Sequence, residues 1–226
     1  MRQARNNAAQ ETAAKTRHLN IWVGADEALF STRAWHGARN PELDLEQFRG
    51  RPCHLGLDLA SRTDLAALSL VFPSLDPATG KTTYAAFARC YLNEEAVLEA
   101  RNASYPGWAA GGHLVVTPGN ETDFGVIEDD ILDLCRRFRV VSIGYDPWQS
   151  TSSPSVCGAR ASRWWSSGRR RRTSRRQSSN LDAAMRAGRL EHDGNPVLEW
   201  CIGNVVGRGR PARQPLPDQG PAGAED

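Results

Sequence analysis

The sequence predicts an α/β fold in which a mixed β-sheet is flanked by helices, and three observations lead to that prediction. Three apolar runs of strand length follow one another between Cys53 and Leu92, with short polar turns between them. A helical periodicity and another apolar strand then lead up to Asp146. Consecutive strands followed by strand–helix alternation are typical of a mixed sheet covered by helices. We expect about five strands.

Local patterns predict each element in turn. CHLGLDLA, LAALSLVF and TTYAAFARCYL predict three antiparallel strands, joined by the turns SRTD and SLDPATGKT. NEEAVLEARNA predicts a helix with Asn93 as its N-cap, and HLVVTPG predicts a short strand. FGVIEDDILDLCRRFR predicts a helix capped by Thr122 or Asp123, and VVSIGYDPW predicts the strand that ends on Asp146. Asn195-Pro196 predicts the start of a short last helix.

Composition divides the chain into three parts. Residues 1–50 are predicted to be an N-terminal linker, 51–208 the folded domain, and 209–226 a disordered tail rich in Pro, Gly and Ala. Within the domain, 150–180 is anomalous because Ser and Arg dominate it without helical or strand periodicity. We therefore predict a disordered Arg/Ser-rich insert there, with order resuming at Leu181.

The bulk composition excludes several classes of protein. The five cysteines are widely spaced and form no CxxC pair, which favours reduced thiols over a disulfide framework or a zinc site. No apolar run approaches the length of about 20 residues that spans a bilayer, so no membrane association is expected. The polar N-terminus lacks the apolar centre of a signal peptide. The net charge of +2 by itself implies no partner.

Two acids stand in strand positions where a carboxylate is unusual. Asp58 follows Leu55 and Leu57 in the first predicted strand, and Asp146 ends the last one. A buried carboxylate is costly unless it is paired or binds a metal. If the two strands are neighbours, both carboxylates face one spot, which suits a hard divalent cation. Asp64 lies at the start of the next strand and offers another ligand, whereas the alternative is an exposed Asp58 at a sheet edge and a plain Asp146-Pro147 turn.

Three blocks of this sequence resemble the nuclease half of the large terminase subunit of tailed bacteriophages. They are GLDLASRTDLAALSLVF, VVSIGYDPWQ and LDAAMRAGRLEHDGNPVLEWCIGNVV, in this order along the chain. The resemblance covers roughly 18–149 and 181–208. It implies an RNase H-like fold and an endonuclease that cuts concatemeric DNA during genome packaging in the host bacterial cytoplasm.

The resemblance also implies site residues, cofactors and partners. Asp58 and Asp146 match two metal-binding carboxylates of the family, which would be the catalytic positions, and Asp64 matches a further acid near the first of them. The expected cofactor is Mg²⁺ or Mn²⁺ in a two-metal arrangement. The expected partners are double-stranded DNA, the small terminase subunit and the capsid portal. The family's ATPase motif is missing, because Gly80-Lys81-Thr82 lacks the earlier glycine of a P-loop, where Leu75 stands.

The sequence departs from the family pattern in two places. Residues 150–180 lack the expected apolar helix and strand, and the chain after 208 lacks the third acid that the family carries. We hypothesise that both segments are translated out of frame, which leaves the enzymatic activity of this chain undecided. Translating the coding DNA in all three frames tests this hypothesis. Glu225 and Asp226 have no predicted helix around them and are not assigned the missing role.

Two alternatives remain open at the level of sequence. The first is a non-catalytic DNA-binding fragment that acts through its Arg-rich segment, since arginines contact phosphates and interleaved tryptophans stack on bases. The second is another RNase H-like nuclease, such as an integrase or resolvase. The arginines assigned to weak DNA binding are Arg169, Arg170, Arg171 and Arg172.

Overall fold

The computed structural model describes residues 29–60, 62–99, 102–145, 164–166 and 171–205. Its strands are β1 (Pro52–Asp58), β2 (Ala66–Leu75), β3 (Thr82–Asn93), β4 (Leu114–Thr117), β5 (Arg139–Tyr145), β6 (Trp164–Ser166) and β7 (Leu190–His192). Its helices are α1 (Thr32–Gly37), α2 (Glu94–Leu98), α3 (Tyr105–Ala110), α4 (Phe124–Arg137), α5 (Arg171–Arg186) and α6 (Pro196–Asn204), with a 3₁₀ turn at Leu45–Phe48.

The described strands form one mixed sheet of seven in the order β4-β3-β2-β1-β5-β6, with β7 also paired to β3. Strands β1, β2 and β3 are an antiparallel meander, and β5 runs parallel to β1. The predicted mixed sheet flanked by helices is confirmed. The expected number of about five strands is too low, because β6 and β7 have three residues each and so carry no readable periodicity.

Helix α4 covers the first face of the sheet. Asp123 caps it by accepting a hydrogen bond from the Gly125 N–H, so Asp123 and not Thr122 is the cap. The helix buries Ile127, Ile131 and Leu134 at helical spacing. Together with apolar residues of β1, β2, β3 and β5 they form the largest core cluster. The face of the sheet opposite to α4 is called the second face below.

The second face is covered by helices over β3, β4 and β7. One cluster joins β3 and β4 to α2, α3 and α6, and another joins β7 to α1, α5 and α6. Phe30 and Trp35 are buried in the latter beside Met185. The described part of the predicted N-terminal linker, 29–50, therefore packs onto the domain that the sequence placed at 51–208.

A histidine and an asparagine hold β7 and the start of α6 in place. His192 is buried, stacks on the Trp35 ring with centroids 3.8 Å apart, and hydrogen-bonds the Trp35 carbonyl. The Asn195 side chain accepts from the Val197 and Leu198 N–H groups and donates to the Ala88 carbonyl. The block that resembles the terminase family thus contains residues whose contacts are structural.

Order begins earlier in the Arg/Ser-rich region than the sequence predicts. Helix α5 starts at Arg171 and not at Leu181, and β6 lies at Trp164–Ser166. The C-terminal half of α5 buries Ala184 and Met185. The rest of 150–180 and the predicted tail at 209–226 lie outside the described residues.

Several smaller predictions can be checked against the described residues. The GKT segment belongs to the turn between β2 and β3, in which Gly80 has a positive φ of 66°. The cysteines Cys53, Cys90, Cys135 and Cys201 are free thiols. In the described part of the chain, no helix combines the length and the apolar character that crossing a bilayer demands.

Candidate active site

Asp58 is the last residue of β1, and its side chain is exposed. Side chains alternate along a strand, so Asp58 shares the second face of the sheet with Gly56 and His54. Strand β1 lies between β2 and β5 and is not a sheet edge. The carboxylate therefore avoids the cost of burial, and it is also not the sheet-edge residue of the alternative interpretation.

The parallel pairing of β1 with β5 brings the carboxyl ends of both strands together. Leu55 lies opposite Ile143, Gly56 opposite Gly144, and Leu57 opposite Tyr145. The condition set by the sequence argument, that the two acid-bearing strands are neighbours, is met. Asp146 itself follows Tyr145 and lies outside the described residues.

Asp64 lies in the connection between β1 and β2 and not in a strand, because β2 begins at Ala66. The buried Asn93 holds this connection by donating from its side-chain amide to the Arg62 carbonyl, while its oxygen caps α2 at the Ala96 N–H. Asp64 is exposed. Burial is the largest cause of the raised pKa of Tyr105, and the negative charge of Asp64 contributes to it.

The described residues contain no group of three or more His, Cys, Asp or Glu side chains placed to hold a metal ion. Asp58 and Asp64 are thus the two described members of the predicted ligand set, and they do not form a complete site with a third described acid. The chemistry of the set, carboxylate oxygens in an exposed position, fits a hard divalent cation.

Of the four predicted DNA-contacting arginines, two lie at a helix start. Arg171 and Arg172 are the first residues of α5. Arg169 and Arg170 lie outside the described residues.

Sequence reasoning missed a second polar feature on the same sheet face. The His54 Nδ1 atom lies 2.8 Å from the Ser142 Oγ atom of the neighbouring strand, in a hydrogen bond. Between this pair and Asp58, Gly56 and Gly144 lie side by side. The sequence did contain a signal for this feature. Alternate residues of a strand face the same side, so Gly56 and His54 could have been placed on the same face as Asp58.

The sequence and the fold are similar to those of known proteins. The family described as terminase large subunit, endonuclease domain, matches residues 1–211. Protein YmfN of Escherichia coli K12 is 32% identical over 214 residues, which are 91% of this chain and 46% of YmfN. The large terminase subunit of Enterobacteria phage HK97 is 26% identical over 163 residues, which are 69% of this chain and 31% of that protein. The chain thus spans less than half the length of these two relatives.

A crystal structure of the HK97 bacteriophage large terminase has the same fold. The TM-score is 0.64 at 22% identity, and the match covers 90% of this chain and 42% of that one. The match confirms the RNase H-like α/β architecture that the resemblance implied.

Proposed function

The chain belongs to the family of terminase large-subunit endonuclease domains, and from this premise we propose that it hydrolyses phosphodiester bonds of double-stranded DNA with the help of divalent metal ions. The reaction would cut concatemeric DNA during phage genome packaging, in the cytoplasm of the bacterial host. Because the chain spans under half of its relatives, the activity of the whole terminase is not assigned to it.

The parallel pairing of β1 with β5 is the observation that carries this proposal. It puts the exposed Asp58 at the end of a strand whose neighbour ends on Tyr145. Asp146 is the next residue of the chain, and adjacent Cα atoms are only about 3.8 Å apart. Chain connectivity thus keeps Asp146 close to the end of β1, which supports a shared role for the two carboxylates.

Asp58 and Asp146 would hold Mg²⁺ or Mn²⁺, with Asp64 as a further ligand or as a contact to one. These cations prefer carboxylate oxygens, water and phosphate oxygens. When bound, a pair of such ions activates the attacking water and stabilises the leaving oxygen.

The partners are proposed at the level of the family. Double-stranded DNA is the substrate. The small terminase subunit and the capsid portal are partners that a large terminase subunit would contact, and we assign neither of them to a surface of this chain.

Substitution of Asp58 tests the proposal. We expect the purified chain to nick plasmid DNA with Mn²⁺ or Mg²⁺, and not with EDTA. Asp58→Asn should lower the rate by more than about 100-fold, the upper range for groups that merely orient a metal ligand. It should also weaken Mn²⁺ binding in a direct titration. The matched control is Asp129→Asn, because Asp129 is exposed on α4 across the sheet.

The same assay decides between the nuclease and the DNA-binding alternative. The DNA-binding alternative is worth testing because α5 begins at Arg171, so that two of the four arginines belong to a helix. Cleavage that survives Asp58→Asn contradicts our proposal. Metal-independent DNA binding that disappears when Arg169–Arg172 become serine, without any cleavage, supports the alternative.

A further inference from the structure

The second face of the sheet carries four residues beside Asp58 to which no role is assigned above. We propose that they form a contact track for one phosphate backbone of the DNA, which rests on the proposed function for the choice of DNA as ligand. The track runs along β1 and β5 away from Asp58. Its members are Gly56, Gly144, His54 and Ser142.

The geometry of β1 puts the track in line with the proposed metal site. Residues at alternate positions face the same side, and each residue advances the strand by about 3.3 Å. His54 is therefore about 13 Å from Asp58 along the strand. The charges of one DNA strand recur every 3.4 Å or so along the helix axis. A single backbone lying on this face could reach both ends of the track.

The two residues in the middle of the track, Gly56 and Gly144, carry no side chain of their own. Gly56 and Gly144 are register partners in two central strands, where glycine ordinarily weakens the sheet. Gly56 is explained by its neighbour, because a Cβ there would lie 2.6 Å from the Ser69 Oγ atom. Gly144 has no such reason among the described residues, since of their atoms its Cβ would meet only the Leu55 carbonyl oxygen, at 3.8 Å. An uncovered glycine in a strand often marks a place where a ligand comes close.

The far end of the track is the hydrogen-bonded pair of His54 and Ser142. His54 is exposed, and its Nδ1 atom is occupied by the Ser142 hydroxyl at 2.8 Å. Within the described residues, the Nε2 atom has no hydrogen-bond partner. The Ser142 contact fixes the orientation of the imidazole, and in the tautomer in which Nδ1 accepts from the Ser142 hydroxyl, Nε2 carries the hydrogen and is a positioned donor. A side-chain N–H donor of this kind can contact a phosphate oxygen without reading the base sequence.

The described apolar clusters on the second face do not reach this half of the sheet. The two apolar clusters on that face contain residues of β2, β3, β4 and β7, and none of β1 or β5. Helix α4 lies on the opposite face, where it packs against the inward side chains of β1 and β5. The half that these clusters do not reach therefore coincides with the strands that carry the track and Asp58.

DNA binding without metal tests the track independently of cleavage. The affinity of the full chain for a labelled duplex is measured by anisotropy in EDTA over a range of salt concentrations. We expect His54→Ala to weaken binding about tenfold. Gly144→Leu should weaken DNA binding by a similar factor, and Gly144→Ala should weaken it less. The larger leucine side chain would hold the phosphate backbone of the DNA further from the sheet.

Two substitutions elsewhere serve as matched controls. His113→Ala removes an exposed histidine near β4, at the other edge of the sheet, and Gly203→Ala adds a Cβ in α6 where no atom lies within 4 Å. Both should bind DNA like the unaltered chain. The melting temperature should not fall in Gly144→Ala, because its φ is not positive and alanine restricts the unfolded chain. If Gly144→Leu is folded, its affinity for DNA then tests whether the DNA backbone passes close to residue 144.

The outcomes separate this inference from the proposed function. Unchanged affinity of folded His54→Ala and Gly144→Leu overturns the track, and so does an unaltered chain that binds no duplex. If both variants lose affinity as expected while the unaltered chain does not cleave with Mn²⁺, the track stands and the nuclease proposal fails. If cleavage depends on Asp58 but neither track variant changes binding, the nuclease stands and the track fails.

Discussion

His192 is held in its neutral form by two hydrogen bonds that require different states of its two ring nitrogens. Its Nε2 atom must donate to the Trp35 carbonyl oxygen, whereas its Nδ1 atom accepts from the Gly194 N–H at 3.1 Å. Protonation of Nδ1 would place its N–H against the Gly194 N–H, so that two donors would face each other. The pKa of His192 is lowered, chiefly because burial disfavours the charged ring.

This arrangement predicts a loss of stability in mild acid. A lowered pKa in the folded state means that the unfolded chain takes up the proton more readily. The stabilising contribution is complete above the unfolded pKa of about 6.5 and is lost as the pH falls towards the folded value. Urea unfolding between pH 8 and pH 5 should show this decline. The free energy of unfolding should decline less with falling pH in His192→Gln. In the exposed-site control His113→Gln the decline should equal that of the unaltered chain.

Asn195 predicts a second effect on stability at the scale of one residue. Its side chain caps α6 through two N–H groups and pairs with the Ala88 carbonyl of β3. Asn195→Ala should lower the free energy of unfolding by about 1–3 kcal/mol, because it removes the cap and leaves a part-buried carbonyl unpaired. Asn195→Asp keeps the cap oxygen and loses the donor. Equal unfolding midpoints of Asn195→Ala and the unaltered chain would contradict this account.

The candidate site shows how far single residues could be predicted from the sequence. Asp58 and the Asn93 and Asp123 caps could be named because their signals are local: an acid in a strand pattern, and a capping residue before a helix. The exposure of Asp58 could not be foreseen, since it depends on which half of the sheet the helices cover. The contact between His54 and Ser142 joins residues 88 positions apart, and no local pattern reports it.

Helix α4 allows a sharp comparison at the scale of one element. Ile131 is 1% exposed in the core, and the next residue, Leu132, is 38% exposed on the outer side. Ile131→Ala should lower the free energy of unfolding by about 2–5 kcal/mol, because it removes buried methyl groups and leaves a cavity. Leu132→Ala should stay within about 0.5 kcal/mol. Chemical denaturation of both variants measures the difference, and similar losses would mean that α4 does not lie on the sheet as described.

The elements with a strong pattern were predictable, and those without one were not. The meander was readable because Asp76 and Gly80 mark the turn between two long apolar runs. Helix α4 was readable from the spacing of Ile127, Ile131 and Leu134. Strand β7 has three residues, too few for a readable periodicity, and its pairing with β3 defines it. The start of α5 was missed because Arg and Ser carry no apolar periodicity.

The distribution of thiols gives a prediction for the whole molecule. Cys53 and Cys90 are buried, and desolvation raises the pKa of each to about 12. The thiolate is the reactive form, so both should resist alkylation until the domain unfolds. Iodoacetamide labelling followed by mass spectrometry should modify them only at urea concentrations that unfold the chain. Labelling of Cys53 or Cys90 in the native protein at the rate of a free peptide would show that the core opens locally.

The two ends of the described fold meet. The Leu29 N–H donates to the Val205 carbonyl oxygen at 2.8 Å, beside α1 and α6. The points at which the chain enters the described fold, Leu29, and ends it, Val205, are therefore adjacent. A mechanical pull at these two points would load this hydrogen bond and the contacts of α1 and α6 first, while the strands that carry Asp58 would bear tension only after those had given way.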